Sequence, residues 1–186
     1  AARCCRIDVN GPLTAMALQK AGIEASIYEA YPQSAGLAVG SFLTVAVNGL
    51  DALATLGLAD AVRAVAFATP SIAFRSGSGK WLGQTPIGGA RDGLERVTRE
   101  RAALYRVPAD EATRRGIATF PEKRLVAAEH TRDEVVARFA DGSEARGGML
   151  IGCDGVHSRV REVIDGKAPR PRYTGLINLG GFSAQT

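Results

Sequence analysis

The sequence predicts an α/β domain, and three observations carry that prediction. A helical stripe at residues 13–21 is followed by a glycine and then by the β-branched, aromatic run "EASIYEA", the helix, tight turn, strand order of a βαβ unit. A second apolar run, "MLIGC", leads directly into a helix at residues 158–164. Between the two, short apolar runs recur on either side of "SGSG" and "DG", as antiparallel hairpins require.

In the first helix Leu13, Ala17 and Leu18 share a face, with Met16 and Ala21 beside them. Pro12 suits a first helical position, where its missing N–H would be unpaired in any case. Gly22 stands where a left-handed cap ends a helix, and the strand after it carries Glu29 at its last turn. Residues 41–65 open as an apolar run that reads as extended or helical, and turn helical around Leu50, Leu53 and Leu56. Residues 72–85 read as a β-hairpin about "SGSG". Residues 99–115 are helical by composition, yet Pro108 lies well inside them, where a lost N–H and a ring clash kink or break a helix at a cost of ~3 kcal/mol. "KRLVAAEHT" and "EVVARFADGSEARGGMLIGCDG" then give two strands, an Asp141-Gly142 turn, a short return and a buried strand over 149–153. After the helix at 158–164, a Pro/Arg-rich linker, "GKAPRPR", leads to "YTGLINLGGF", read as a new strand.

At 186 residues and 46% hydrophobic, the chain can bury a real core as one domain or one and a fraction. The net charge of +4 comes from dispersed arginines with no long block of like charge, so a nucleic-acid arm is not expected. Cys4, Cys5 and Cys153 form no C-x-x-C pair and no Cys/His cluster of ligand spacing, which implies a reducing compartment and no metal. No apolar run approaches the ~20 residues that span a bilayer, and the start lacks a signal peptide's apolar stretch. A cytoplasmic protein without a membrane partner is expected.

Three segments together resemble the FAD-dependent aromatic-ring hydroxylases, the flavoprotein monooxygenases of the p-hydroxybenzoate hydroxylase type. "NGPLTAMALQKAGIEASIYEA" is similar to the end of the family's G-x-G-x-x-G loop, its helix and its second strand. "RAALYR" resembles the R-x-x-L-x-R helix over the flavin phosphates, and "GCDGVHSRVR" closely matches D-G-x-x-S-x-x-R, the most specific of the three. The resemblance implies a Rossmann-like FAD/NAD(P)-binding domain with the beginning of a substrate sheet. Residues 1–70 and 91–170 would form the flavin domain, and 71–90 and 171–186 pieces of the sheet.

It also assigns a cofactor set. Gly11 would let the helix pack closely and offer its N-terminal N–H groups to a pyrophosphate, and Glu29 would accept hydrogen bonds from the adenosine ribose. Arg101 would pair with flavin phosphate or ribose oxygens, Asp154 and Gly155 would meet the cofactor at a strand end, and Val126 completes the set. Ser158 and Arg161 would support the next helix and help admit the pyridine nucleotide, although a plain N-cap and a surface charge read equally well. His157 occupies a variable motif position, and with His130 far off in a strand no dyad is indicated. Cys153 reads as a small core residue, and the loop "SAGLAVGSF" as a flavin-lining stretch. No side chain here need be an acid, base or nucleophile, because the flavin carries the chemistry.

The sequence departs from the family at one critical place. With Gly11 as third glycine, the first two fall at Arg6 and Asp8, and Asp8 sets a negative charge where phosphates should lie. "AARCC" also lacks the β-branched character of a buried central strand. Either an upstream shift of reading frame replaced the first dozen residues, which the abrupt change at residue 11 favours, or the protein has drifted from flavin binding. The family's second flavin motif, G-D, would lie beyond Thr186. The implied function is an NAD(P)H- and O₂-using hydroxylase of an aromatic or polyketide-like small molecule, or the N-terminal piece of one. The alternative is a non-catalytic remnant that binds no flavin and self-associates or pairs with a complementing chain. A Rossmann oxidoreductase using only a pyridine nucleotide is disfavoured by "DGVHSRVR".

Overall fold

The computed structural model describes residues 2–5, 10–32, 41–86 and 96–177. Strand β1 (Ala2–Cys5) leads to helix α1 (Asn10–Lys20) and strand β2 (Ala25–Tyr28). Ala15 and Met16 of α1 and Ile27 of β2 have no exposed surface. The helix stops where the sequence places its end. Gly22 has φ of +77°, its N–H donates to the Gln19 carbonyl at 3.0 Å, and Ile23 N–H closes on Leu18 O at 2.9 Å. The "AARCC" stretch overturns its expectation, because β1 lies inside a four-stranded parallel sheet between β2 and a later strand. Its partners on both sides supply the ladder, and backbone pairing does not require β-branched side chains.

Residues 41–65 divide the open choice between both readings. They form strand β3 (Phe42–Val45), then helices α2 (Val47–Thr55) and α3 (Ala59–Ala64). Strand β4 (Phe67–Ala68) follows, and β5 (Ser71–Arg75) and β6 (Trp81–Pro86) make the expected hairpin, a two-stranded sheet of its own. Residues 99 and 100 correct the start of the helix reading, because they belong to a strand over 97–100. That strand, β7 (Val97–Glu100), is paired antiparallel with both β3 and β4, and helix α4 (Arg101–Arg114) starts only after it. Buried Thr98 explains the difference, since its hydroxyl bonds Thr44 Oγ1 at 2.8 Å and Thr69 Oγ1 at 2.7 Å, one from each flanking segment. Nor does Pro108 end α4. Its ring is fully buried, and that burial offsets the missing N–H.

Strand β8 (Ala118–Phe120), which the sequence did not announce, pairs parallel with β2 as an outer strand. Strands β9 (Leu125–His130), β10 (Val135–Phe139) and β11 (Glu144–Gly147) form an antiparallel sheet, with Gly142 at φ +82° in the expected turn. Strand β12 (Met149–Gly152) returns to the parallel sheet beside β1, giving the order β12-β1-β2-β8. The buried strand expected here is an edge strand. Met149 is 42% exposed, and Cys153, just past its end, is half-buried rather than core. Helix α5 (Arg159–Ile164) closes the regular structure. Residues 173–177 form no strand, and 178–182, the rest of that expectation, lie outside the described residues.

Two apolar clusters show the layering. Ala25 and Ile27 of β2 pack with Met16, Leu50, Leu53 and Leu104 on the helical side. Tyr28, on the alternate face of the same strand, packs with Ala137, Phe139 and Ala145 of the antiparallel sheet. Its ring stacks on Phe139 at 4.9 Å and on Phe120 at 5.0 Å between centroids.

Candidate functional site

The parallel strands β12, β1, β2 and β8 all end on one edge of their sheet. From β1 the chain crosses through α1 to β2 on one side, while β12 joins β1 on the other. That reversal makes a crevice outside the carboxyl ends of the strands, the place where open α/β sheets bind ligands. The N-terminus of α1, Glu29 and the Asp154-Gly155 pair are all brought to this edge, although 18 to 144 residues separate them along the chain.

Glu29 directly follows β2 and is 3% exposed. Its backbone is held from two directions, donating to Phe120 O at 2.9 Å and accepting from Lys123 N–H at 2.6 Å. Its Oε1 accepts from Tyr31 N–H at 2.9 Å. A carboxylate is thus fixed at the strand end, and the turn leading into β9 is fixed beside it. Gly11 and Pro12, in the first turn of α1, are buried, and that turn carries no acidic side chain.

Asp154 is engaged locally through both carboxylate oxygens. Oδ1 accepts from Ser158 Oγ at 2.5 Å, and Oδ2 from the N–H groups of Arg159 at 2.6 Å and Val160 at 3.1 Å. Ser158 Oγ in turn accepts from Arg161 N–H at 3.0 Å, so its helix-cap reading describes what it does here. Gly155 has φ of +73°, a left-handed turn that favours glycine. Arg161 donates Nη2 to Val156 O at 2.8 Å. His157 lines a hollow of about 90 Å³ with Tyr31, Arg124, Asp154 and Arg159, whereas His130 lines a different one. Cys153 Sγ lies 3.7 Å from Thr14 Oγ1, tying the end of β12 to α1.

Arg101 opens α4, its N–H donating to Ser41 O at 3.3 Å. With Asn10 at the start of α1 it lines an apolar cavity of about 250 Å³ floored by Leu53, Val62 and Leu104. Val126 stands apart from these on β9, 41% exposed. Arg6, Asp8 and residues 34–40 of "SAGLAVGSF" lie outside the described residues. Two contributors carried no sequence signal. Gly152 lets α5 pack on β12, for a Cβ there would lie 2.6 Å from Val160 Cβ. Arg159, a variable position of its motif, donates Nε and Nη2 to Val126 O at 3.1 and 2.9 Å. Among the described residues, no group of three or more His, Cys, Asp or Glu is placed to hold a metal ion.

Residues 9–180 match the FAD binding domain family. The chain belongs to that family. Among its relatives, a FAD-dependent urate hydroxylase of Klebsiella pneumoniae is 32% identical over 177 residues, 94% of this chain and 45% of the relative. A salicylate hydroxylase of Pseudomonas putida is 31% identical over 186 residues, 94% of this chain and 41% of the relative. The crystal structure of Klebsiella pneumoniae HpxO complexed with FAD and uric acid matches with a TM-score of 0.71 at 28% identity, over 87% of this chain and 41% of that one. The family is thus that of the FAD-dependent aromatic hydroxylases, and the chain spans less than half the length of these relatives.

The described part of this FAD-binding domain suits its group. A helix N-terminus free of acidic side chains in its first turn favours a pyrophosphate. A buried carboxylate at the end of the neighbouring strand suits a ribose diol. Among the described residues no helix is long and apolar enough to cross a membrane.

Proposed function

We propose that this chain is the flavin-holding part of an FAD-dependent monooxygenase that uses NAD(P)H and O₂ on an aromatic or polyketide-like small molecule. The observation that carries the reading is the convergence of the α1 N-terminus, Glu29 and Asp154-Gly155 at the switch point of one parallel sheet. The N–H groups at Gly11, with Arg101, would hold the pyrophosphate, Glu29 the adenosine ribose, and Asp154-Gly155 the backbone approach from the β12 side. Lys123 N–H bonds Glu29 O, so the segment leading into β9 lies beside that carboxylate, and in this reading Val126 of β9 would serve the same cofactor. Bound there, FAD supplies the redox chemistry, accepting reducing equivalents from NAD(P)H and activating O₂ for transfer of one oxygen atom. The protein binds, orients and excludes water. In the same reading the hairpin at residues 71–86, a sheet of its own, belongs with the substrate-binding part, and the compartment is cytoplasmic.

A second reading, a remnant that no longer binds flavin, is favoured by Arg6 and Asp8 in the positions of two loop glycines. Titration of the purified chain with FAD, followed by flavin fluorescence and by calorimetry with ADP, separates the two. The first reading expects saturable uptake and a loss of about 10- to 100-fold in ADP affinity for Glu29→Ala, the scale of a hydrogen bond to a charged group. A chain that takes up neither ligand, before or after the double substitution Arg6→Gly and Asp8→Gly, is the remnant. Uptake appearing only after that substitution locates the defect in the loop.

A further inference from the structure

The chain holds two Asn-Gly pairs, Asn10-Gly11 and Asn48-Gly49, each at the start of a helix. An asparagine followed by glycine is open to loss of ammonia from its side chain, because glycine has no Cβ to keep its backbone N from the neighbouring amide carbon. The fold treats the two pairs differently. Gly11 is buried in the first turn of α1. Asn48 is exposed, and the N–H of Gly49 donates to Asn48 Oδ1 at 3.0 Å, so the nitrogen already lies against the amide it would attack. The helical ladder of α2 starts one residue later, with Leu50 N–H on Ala46 O at 3.0 Å. Ala46, in the cap position with φ of −74° and ψ of 165°, supplies no side-chain acceptor, and the first turn holds no acidic residue. Ring closure must turn the Asn48 peptide out of its helical conformation, and an uncapped first turn opens at little cost.

We propose that Asn48-Gly49 is a site of spontaneous deamidation, which the fold favours over Asn10-Gly11. The Gly49 N forms a bond to Asn48 Cγ, the Cγ–Nδ2 bond breaks, and the amide proton leaves with the ammonia, giving a succinimide. One water then opens the ring at either carbonyl. Breaking the bond from N to Cγ gives aspartate, and breaking the bond from N to the main-chain carbonyl carbon gives isoaspartate, in which the chain runs through Cγ. Nothing is oxidised or reduced, and flavin binding has no part in the step. Either product sets a carboxylate in the first turn of α2, three residues after Val45 in the wall of the cavity that Arg101 also lines.

Ageing the purified chain in warm, mildly alkaline buffer, with tryptic digests read by mass spectrometry and thermal melting of each variant alongside, tests the site. Trypsin separates the two pairs, Asn10 in the peptide over residues 7–20 and Asn48 in the peptide over 21–63. The mass gain from amide to acid is expected at Asn48, about tenfold or more ahead of Asn10. In guanidinium, where burial is lost, the two should convert at similar rates. Ala46→Ser places a hydroxyl where it accepts from Gly49 N–H, the third helical residue, and should slow Asn48 about fivefold with no change at Asn10. Asn48→Gln should remove the gain from its peptide. A folded chain in which Asn48 stays intact, or in which Asn10 converts as fast, overturns the proposal. So does a lead for Asn48 that persists undiminished in guanidinium, or a folded Ala46→Ser chain that ages at the wild-type rate, since conversion would then follow the dipeptide and not the fold. Should Ala46→Ser fail to fold, Ala46→Asp carries the same test.

Discussion

Replacing Gly152 by alanine is the sharpest test of how the end of β12 is built. The added Cβ would sit 2.6 Å from Val160 Cβ and 2.9 and 3.0 Å from its two methyls, and Val160 is only 4% exposed, so α5 must move. Overpacking of this kind costs ~1–3 kcal/mol. Gly152 is not among the positive-φ glycines, so alanine also narrows the unfolded ensemble and regains ~0.4–1 kcal/mol. At the middle of both ranges the net loss is ~1 kcal/mol, which at about 2–4 °C per kcal/mol for a chain of this size lowers the melting temperature by ~2–4 °C. Circular-dichroism melts and urea titrations measure it. In a Val160→Ala background the Cβ contact remains but the two methyls are gone, so Gly152→Ala should cost less there than in wild type without becoming free. A Gly152→Ala chain that melts within about one degree of wild type, or an identical cost in both backgrounds, would refute the packing argument.

Two further outcomes follow from the same geometry. Hydrogen bonds from Arg114 and Arg115 hold the Glu111 carboxyl at about 2, down from 4.5. A depressed carboxylate contributes stability above its unfolded value that is lost as pH falls from 4.5 toward about 2, so Glu111→Gln should lose stability less steeply than wild type in urea titrations across that window. Ser158→Ala removes the acceptor for Arg161 N–H and the donor to Asp154, and should cost ~0.5–2 kcal/mol in the same measurement.

The candidate site was legible where its chemistry is local. Gly22, the Asp141-Gly142 turn and Ser158 each act within a few residues of themselves, and each does in the fold what its residue type allows. Glu29 was legible as a strand-end carboxylate, but not as a buried one locked by Phe120 and Lys123, because those partners lie about ninety residues away. Arg159 carries no signal in the sequence for the same reason, since its partner Val126 lies 33 residues away on β9 and the bulge there exists only once β9 and β10 pair.

The sequence by itself determined the α/β class, the helix after Asn10, the hairpin about "SGSG" and the capped turn of "GCDGVHSRVR", because periodicity, turn chemistry and caps act over a few residues. The tertiary structure alone decided that residues 2–5 are a central strand, that residues 99 and 100 end a strand rather than start a helix, and that β12 lies at an edge among the described strands. Strand identity in a sheet is a property of neighbours. The hydrogen bonds that make a segment a strand come from residues distant in sequence, and so does the burial that opposes or permits a given side chain.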